Sequence, residues 1–208
     1  MSLLAINSSP VTGWSVTRRM MTRFLDHYAG MHPGTPIVER DIGRNPPPHI
    51  DEATIDAYYA RAEPTAAQRH ALALSGELVG EFLAAETIVI AAPMHNLGIT
   101  SGLKAYFDHI VRAGHTFAYT AQGPRGLVTG KTAYILTARG SDYSLGGPLS
   151  ALDQQETYLR TILGFIGIDD LAFIHCQGVA LGEDTRATAL AAAERQIDGL
   201  FAPAVAWA

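Results

Sequence analysis

The chain has 208 residues, 48% of them hydrophobic and 17% charged, which suits one α/β domain over 1–208 with a sizeable core and argues against disorder. A net charge of −5 without any basic run speaks against a nucleic-acid surface or a polybasic membrane patch. The lone Cys176 excludes an internal disulfide, the 8 histidines fall in no zinc pattern, and no apolar run approaches the ~20 residues of a membrane helix. The N-terminus lacks a charged segment ahead of a long apolar one, so the reading is cytoplasmic.

Residues 3–6 are apolar and predict a first buried strand. A serine-rich stretch, 7–17, follows. Val16, Met20, Phe24 and Tyr28 then recur four apart, with Met21 and Leu25 beside them, and predict a helix with Ser15 as N-cap. Residues 36–40 read as a second, shorter strand. The least regular part is 41–64, with Pro46, Pro47 and Pro48 at its centre; long insertions of this kind are usually functional or mobile. Residues 65–85 return to helical spacing, with Leu74, Leu78 and Phe82 on one face.

The run from Thr87 to Ala92 is β-branched and apolar, as a strand buried on both faces requires. Pro93 closes it, because proline cannot donate to a sheet ladder. After the loop 94–100, Ser101 opens a helix carrying Leu103, Phe107 and Ile110, with Gly114 as a stop signal. Residues 115–131 form an excursion. Residues 132–137 are a fourth strand, followed by a turn at 138–141 and a glycine-rich loop at 142–148. Tyr158, Leu159, Ile162 and Ile166 mark another helix, 171–176 a fifth strand, and 184–201 a last helix with Leu190, Ala193, Ile197 and Leu200 inward.

Five strands alternating with helices predict a parallel sheet in a three-layer sandwich, for which the strand order 2-1-3-4-5 is the expectation. The switch point then lies between the first and third strands. Loops 7–17 and 93–100 meet there, and 138–141 flanks them.

Each loop has its own chemistry. The first offers Ser8, Ser9, Thr12, Ser15 and Thr17 around a helix start, a good seat for one phosphate monoester without any lysine. It lacks the G-x-G-x-x-G of a dinucleotide site. The same composition equally suits an ordinary serine-rich turn. In the second, Met94 and Leu97 can pack on a flat ring, while Asn96 and backbone amides can donate to its edge. The third, with Arg139, Gly140 and Ser141, brings a cation and a close backbone approach; Arg139 equally suits a surface ion pair. His95 suits either a proton donor or a plain surface residue. Residues 126–132 imitate a phosphate-binding P-loop but place three residues between the glycines instead of four, and they precede a strand. Lys131 is therefore read as a solvated charge at the start of that strand. Cys176, in a strand, is read as inert.

Together these residues resemble the FMN-dependent NADH:quinone oxidoreductases, also called FMN-dependent NADH-azoreductases. The resemblance runs nearly end to end. It is carried by Ser8-Ser9 with Ser15, by Ile88 to Met94 with Asn96, by Leu103-Lys104 and Tyr106-Phe107-Asp108, and by Arg112-Ala113-Gly114. Tyr119-Thr120, Gly126 to Lys131, Arg139-Gly140 and Leu163 to Ile168 complete it. The resemblance implies a flavodoxin-like fold, a homodimer and bound FMN, with NADH or NADPH as electron donor. It implies ping-pong reduction of quinones, azo compounds or nitroaromatics, and neither membrane nor nucleic acid as partner. It places Ser9, Ser15, Val16 and Thr17 on the phosphate, Met94, His95, Asn96 and Leu97 on the ring, Ala138, Arg139, Gly140 and Ser141 in the third loop, and Tyr119 and Phe165 on the substrate. The family commonly has Tyr at His95, Phe at Leu97 and Ser at Ala138, so the stacking surface here is less aromatic. A flavodoxin-type electron carrier, and a hydrolase or transferase that uses the phosphate loop without a flavin, are the rival readings.

Overall fold

The structure is a computed structural model that describes residues 2–60 and 63–202. Five strands make the main sheet: β1 (Leu3–Asn7), β2 (Ile37–Asp41), β3 (Thr87–Pro93), β6 (Thr132–Ala138) and β7 (Asp170–Cys176). They pair in the order β2-β1-β3-β6-β7, all parallel. The numbering departs from the expected 2-1-3-4-5 because the excursion after the fourth helix makes two short strands of its own. These are β4 (Phe117–Thr120) and β5 (Gly123–Gly126), an antiparallel hairpin outside the main sheet.

Strand alternation sorts the core into two layers. Leu4, Ile6, Ile88, Ile90, Ala133 and Ile135 face one side, where α3 (Ala66–Ala84), α4 (Ser101–Ile110) and α5 (Gln154–Ile166) cover them. Leu3, Ala5, Val89, Ala91, Leu136 and Ala138 face the other, under α1 (Val16–Met31) and α6 (Glu183–Leu200). Val89, Ile90 and Ala91 are fully buried, as their β-branched and small side chains allow at the centre of a parallel sheet.

Three expectations change. The segment 41–64 contains a helix, α2 (Glu52–Tyr58), capped by Asp51, whose carboxylate accepts the Thr54 N–H; positions 61 and 62 lie outside the described residues. α4 stops at Ile110, four residues before Gly114. Leu200, expected inward, is 40% exposed, because the helical phase of Leu190, Ala193 and Ile197, which are buried, continues to Phe201, whose ring packs on Phe24 in its place.

Candidate functional site

The carboxyl ends of β1, β3, β6 and β7 gather their loops around a groove of about 290 Å³. Its walls come from four places. Ser9, Val11, Trp14, Ser15, Val16 and Thr17 belong to the β1–α1 loop and the first turn of α1. Pro93, Met94 and His95 follow β3, Ala138 and Gly140 follow β6, and Val179, Ala180 and Arg186 follow β7.

The first loop is held from behind. Ser15 is the N-cap of α1, accepting the Arg18 N–H at 3.3 Å. Its hydroxyl donates to Ser9 Oγ at 2.8 Å and lies 3.2 Å from Thr17 Oγ1. Helix geometry leaves the first-turn amides without intrahelical acceptors, and the helix dipole puts partial positive charge there. Three hydroxyls and these amides thus converge on one spot. The Arg18 guanidinium serves the backbone instead. It donates to Val11 O at 3.0 Å and Ser9 O at 2.7 Å, and it pairs with both oxygens of Asp41 at 2.7 and 2.6 Å. Burial would push the Asp41 carboxyl up; the bonds from Arg18 and the Arg44 N–H outweigh it and hold it below its ordinary range.

The second loop is a tight turn. His95 N–H donates to Gly98 O and Gly98 N–H to His95 O, both at 3.0 Å. The two residues between them have positive φ, Asn96 at +47° and Leu97 at +71°. Asparagine tolerates that conformation well and leucine poorly. Strain of this sort persists where surrounding structure over-determines it. Here the Leu97 carbonyl is tied to Gln154 N–H at 3.1 Å and the Met94 N–H to Ala138 O at 2.9 Å. The turn presents Met94 and His95 to the groove, with Asn96 and Leu97 exposed outside its lining.

The third loop corrects the expectation for Arg139. Its side chain is 1% exposed and turned away from the groove. It pairs with Asp153 at 2.9 Å and Glu156 at 3.4 Å and bonds Gln155 Oε1 at 3.2 Å. Its charge is thus met by carboxylates at the start of α5, and it is neither a surface ion pair nor a cation at the groove. Gly140 lines the groove; Ser141 lies outside it and accepts the Gly178 N–H through its carbonyl.

Tyr119 and Phe165 lie elsewhere. Both pack on Phe117, at ring-centroid distances of 5.2 and 4.8 Å. Tyr119 is 75% exposed and lines a separate cavity. Lys131 is no free charge: its ammonium donates to Leu83 O at 2.8 Å and to Ala85 O, closing the end of α3. The β7–α6 loop, with Val179 and Ala180, and Arg186 in the first turn of α6 were not foreseen as part of the site. The one signal for them was their position, since every loop at the carboxyl edge of a parallel sheet is a candidate wall.

Sheet order and groove together define a flavodoxin-like protein. The sequence model of the Flavodoxin_2 family, described by its flavodoxin-like fold, matches residues 1–200. An FMN-dependent NADH:quinone oxidoreductase of Herminiimonas arsenicoxydans is 47% identical over 200 residues, covering 96% of this chain and 98% of that protein. One of Azospirillum brasilense is 43% identical over 208 residues, covering 99% and 100%. Among solved structures, an FMN-dependent NADH-azoreductase from Bacillus anthracis in complex with FMN superposes with a TM-score of 0.86 at 27% identity, covering 97% of this chain and 100% of that one. The azoreductase AzrA gives 0.89 at 26% identity, with coverage of 97% and 99%. The chain belongs to the family of FMN-dependent NADH:quinone oxidoreductases.

Proposed function

We propose that the chain binds FMN in the groove and transfers two electrons from NADH or NADPH to quinones and aromatic azo compounds. The observation that carries this reading is the make-up of the groove. Its lining joins the hydroxyls of Ser9, Ser15 and Thr17 at the start of α1 with the apolar side chains of Val11, Trp14, Met94 and Val179, matching a phosphate monoester and a flat ring. The relatives that this chain resembles over nearly its whole length carry the same activity in their names.

Ser9, Ser15 and Thr17, with the amides of Val16 and Thr17, would hold the phosphate. Met94 and His95 would meet the ring from the β3 side, with Ala138 and Gly140 opposite. Asn96 and Leu97 would contribute at the rim. Arg139 and Ser141 would act through the backbone of their loop, which the β7–α6 loop braces: Val179 N–H donates to Arg139 O at 3.0 Å. FMN, when bound, supplies the two-electron chemistry, and the protein supplies orientation and electrostatics. No acid–base pair is required of the chain. His95 stands at the groove, within reach of proton exchange with solvent.

Donor and acceptor would occupy one face in turn, which is ping-pong order. The whole chain would act as one domain and as a homodimer in the cytoplasm. The dimer reading draws on Tyr119 and Phe165, which line no part of this chain's own groove and would serve as substrate rings across a partner's. The test is direct. Protein purified with FMN should be yellow, should oxidise NADH in the presence of a soluble quinone, and should give parallel double-reciprocal lines. FMN-loaded protein without turnover would mark an electron carrier instead, and colourless protein in excess FMN would sink both readings.

A further inference from the structure

A second cavity, of about 380 Å³, lies between α2, the end of α4 and the β4–β5 hairpin. Its walls are aromatic, with Tyr58, Tyr59, Phe117 and Tyr119. Its cation is Arg112, half-buried, with the guanidinium 4.9 Å from the centre of the Tyr58 ring. One nitrogen, Nη1, donates to Ser75 Oγ at 3.2 Å. That hydroxyl also accepts from Tyr58 OH at 3.1 Å and donates to His109 O at 2.6 Å, so it has no further capacity.

Arg112 lacks the carboxylate partner that several arginines of this chain have. Arg18, Arg23, Arg40, Arg139 and Arg160 each pair with a carboxylate. Among the described residues none pairs with Arg112. Asp108, the acid on the same cavity, pairs with Lys104. Burial lowers the Arg112 pKa, and burial together with Arg112 lowers that of His115, so the nearby imidazole adds no competing charge at neutral pH. A desolvated guanidinium without an anion is costly. One set beside an aromatic ring, with most of its five donors unspent, is ready for a carboxylate or sulfonate.

We propose that this cavity binds aromatic anions, with the carboxylate or sulfonate on Arg112 and the ring against Tyr59 and Tyr119. The idea rests on the proposed function in one respect: Tyr119 is there the acceptor-side ring, so the cavity would favour acidic quinones and azo compounds over neutral ones. In a chain of net charge −5 such a preference needs a dedicated cation.

The test uses two ligands of one shape, naphthoate and naphthamide, titrated into the FMN-loaded full chain and followed by ligand NMR. Wild type should bind naphthoate about tenfold more tightly or better, as a charge-assisted hydrogen bond predicts. Arg112→Gln should bring the ratio to about one and leave naphthamide unchanged, and Arg112→Lys should keep part of it. The wild-type preference should also shrink with added sodium chloride, a readout that stands even where a variant fails to fold. Equal binding by wild type, a preference insensitive to salt, or one that survives in folded Arg112→Gln would overturn the proposal. Inorganic phosphate competing as well as naphthoate would overturn its aromatic half. Failure of the redox reading would appear separately, as absent NADH oxidation with the binding ratios intact.

Discussion

Ser15 does two things with one hydroxyl: it caps α1 and anchors the hydroxyl cluster with Ser9 and Thr17. Ser15→Ala should therefore lower stability by about 1 kcal/mol, the usual worth of an N-cap. It should also weaken FMN by about tenfold, because a hydrogen bond to a charged phosphate is lost with the cap. Urea unfolding of the FMN-free protein and quenching of flavin fluorescence measure the two effects separately. Arg139 makes the opposite case. Removing a buried charge from its partners costs ~3 kcal/mol or more, since Asp153 would lose the guanidinium that pairs with it and Glu156 one of its three cationic neighbours. Arg139→Met should thus be severely destabilised, while the molecules that remain folded keep a nearly unchanged flavin midpoint potential. A large shift in potential would instead restore the cation to the flavin. Sequence showed which loop Arg139 occupies but not its direction, since a residue after a strand can face the ligand or the next helix. Only the packing of α5 decides between them.

At the scale of elements, the β1–α1 loop owes its shape to a neighbour. Gly43, just past β2, donates its N–H to Asn7 O at 2.9 Å, and a Cβ there would stand 2.0 Å from Ser9 O. That atom is also the acceptor for Arg18. Gly43→Ala must push the loop backbone, which cannot yield without breaking the Arg18–Asp41 clamp. It should cut FMN affinity by at least about tenfold, with a loss of thermal stability that excess FMN only partly restores. Flavin titration and melting curves with and without FMN check this. Such a contact is invisible to periodicity. What was legible were the elements long enough to show a pattern: all five sheet strands, and the helices that run for ten residues or more. α2, of 7 residues, and the two 4-residue hairpin strands are too short for a repeat to emerge. The hairpin is further disguised by Gly123 and Pro124, which read as loop. The first three loops of the site followed from strand order, whereas Val179, Ala180 and Arg186 carry no motif, and only closure of the groove in space reveals them.

For the molecule as a whole, the carboxyl edge of the sheet ends in a charged network that ties the third loop to α5 and β7. Glu156 accepts from His175 Nε2 at 3.1 Å and Arg160 Nη2 at 2.6 Å and lies 3.4 Å from Arg139, while Thr137 Oγ1 meets His175 Nδ1 at 2.8 Å. The bond from His175 outweighs the cost of burial and, with Arg160, draws the Glu156 carboxyl down to about 2 from its ordinary 4.5. A carboxyl depressed in the folded state stabilises it fully above the unfolded value, and the contribution fades as pH falls from 4.5 towards about 2. Asp198, held at about 2 by Arg23 and His27, adds to the same acid limb from the far end of α6. Glu156→Gln should therefore lose stability at neutral pH, and the gap from wild type should narrow steadily through that window. Because the network braces the loop that carries Gly140, FMN release on acidification should begin at higher pH in the variant than in wild type. Urea unfolding at a series of pH values, run beside flavin release, separates the outcomes: a gap that stays constant with pH would mean that the Glu156 charge contributes nothing and that its loss acts through packing alone.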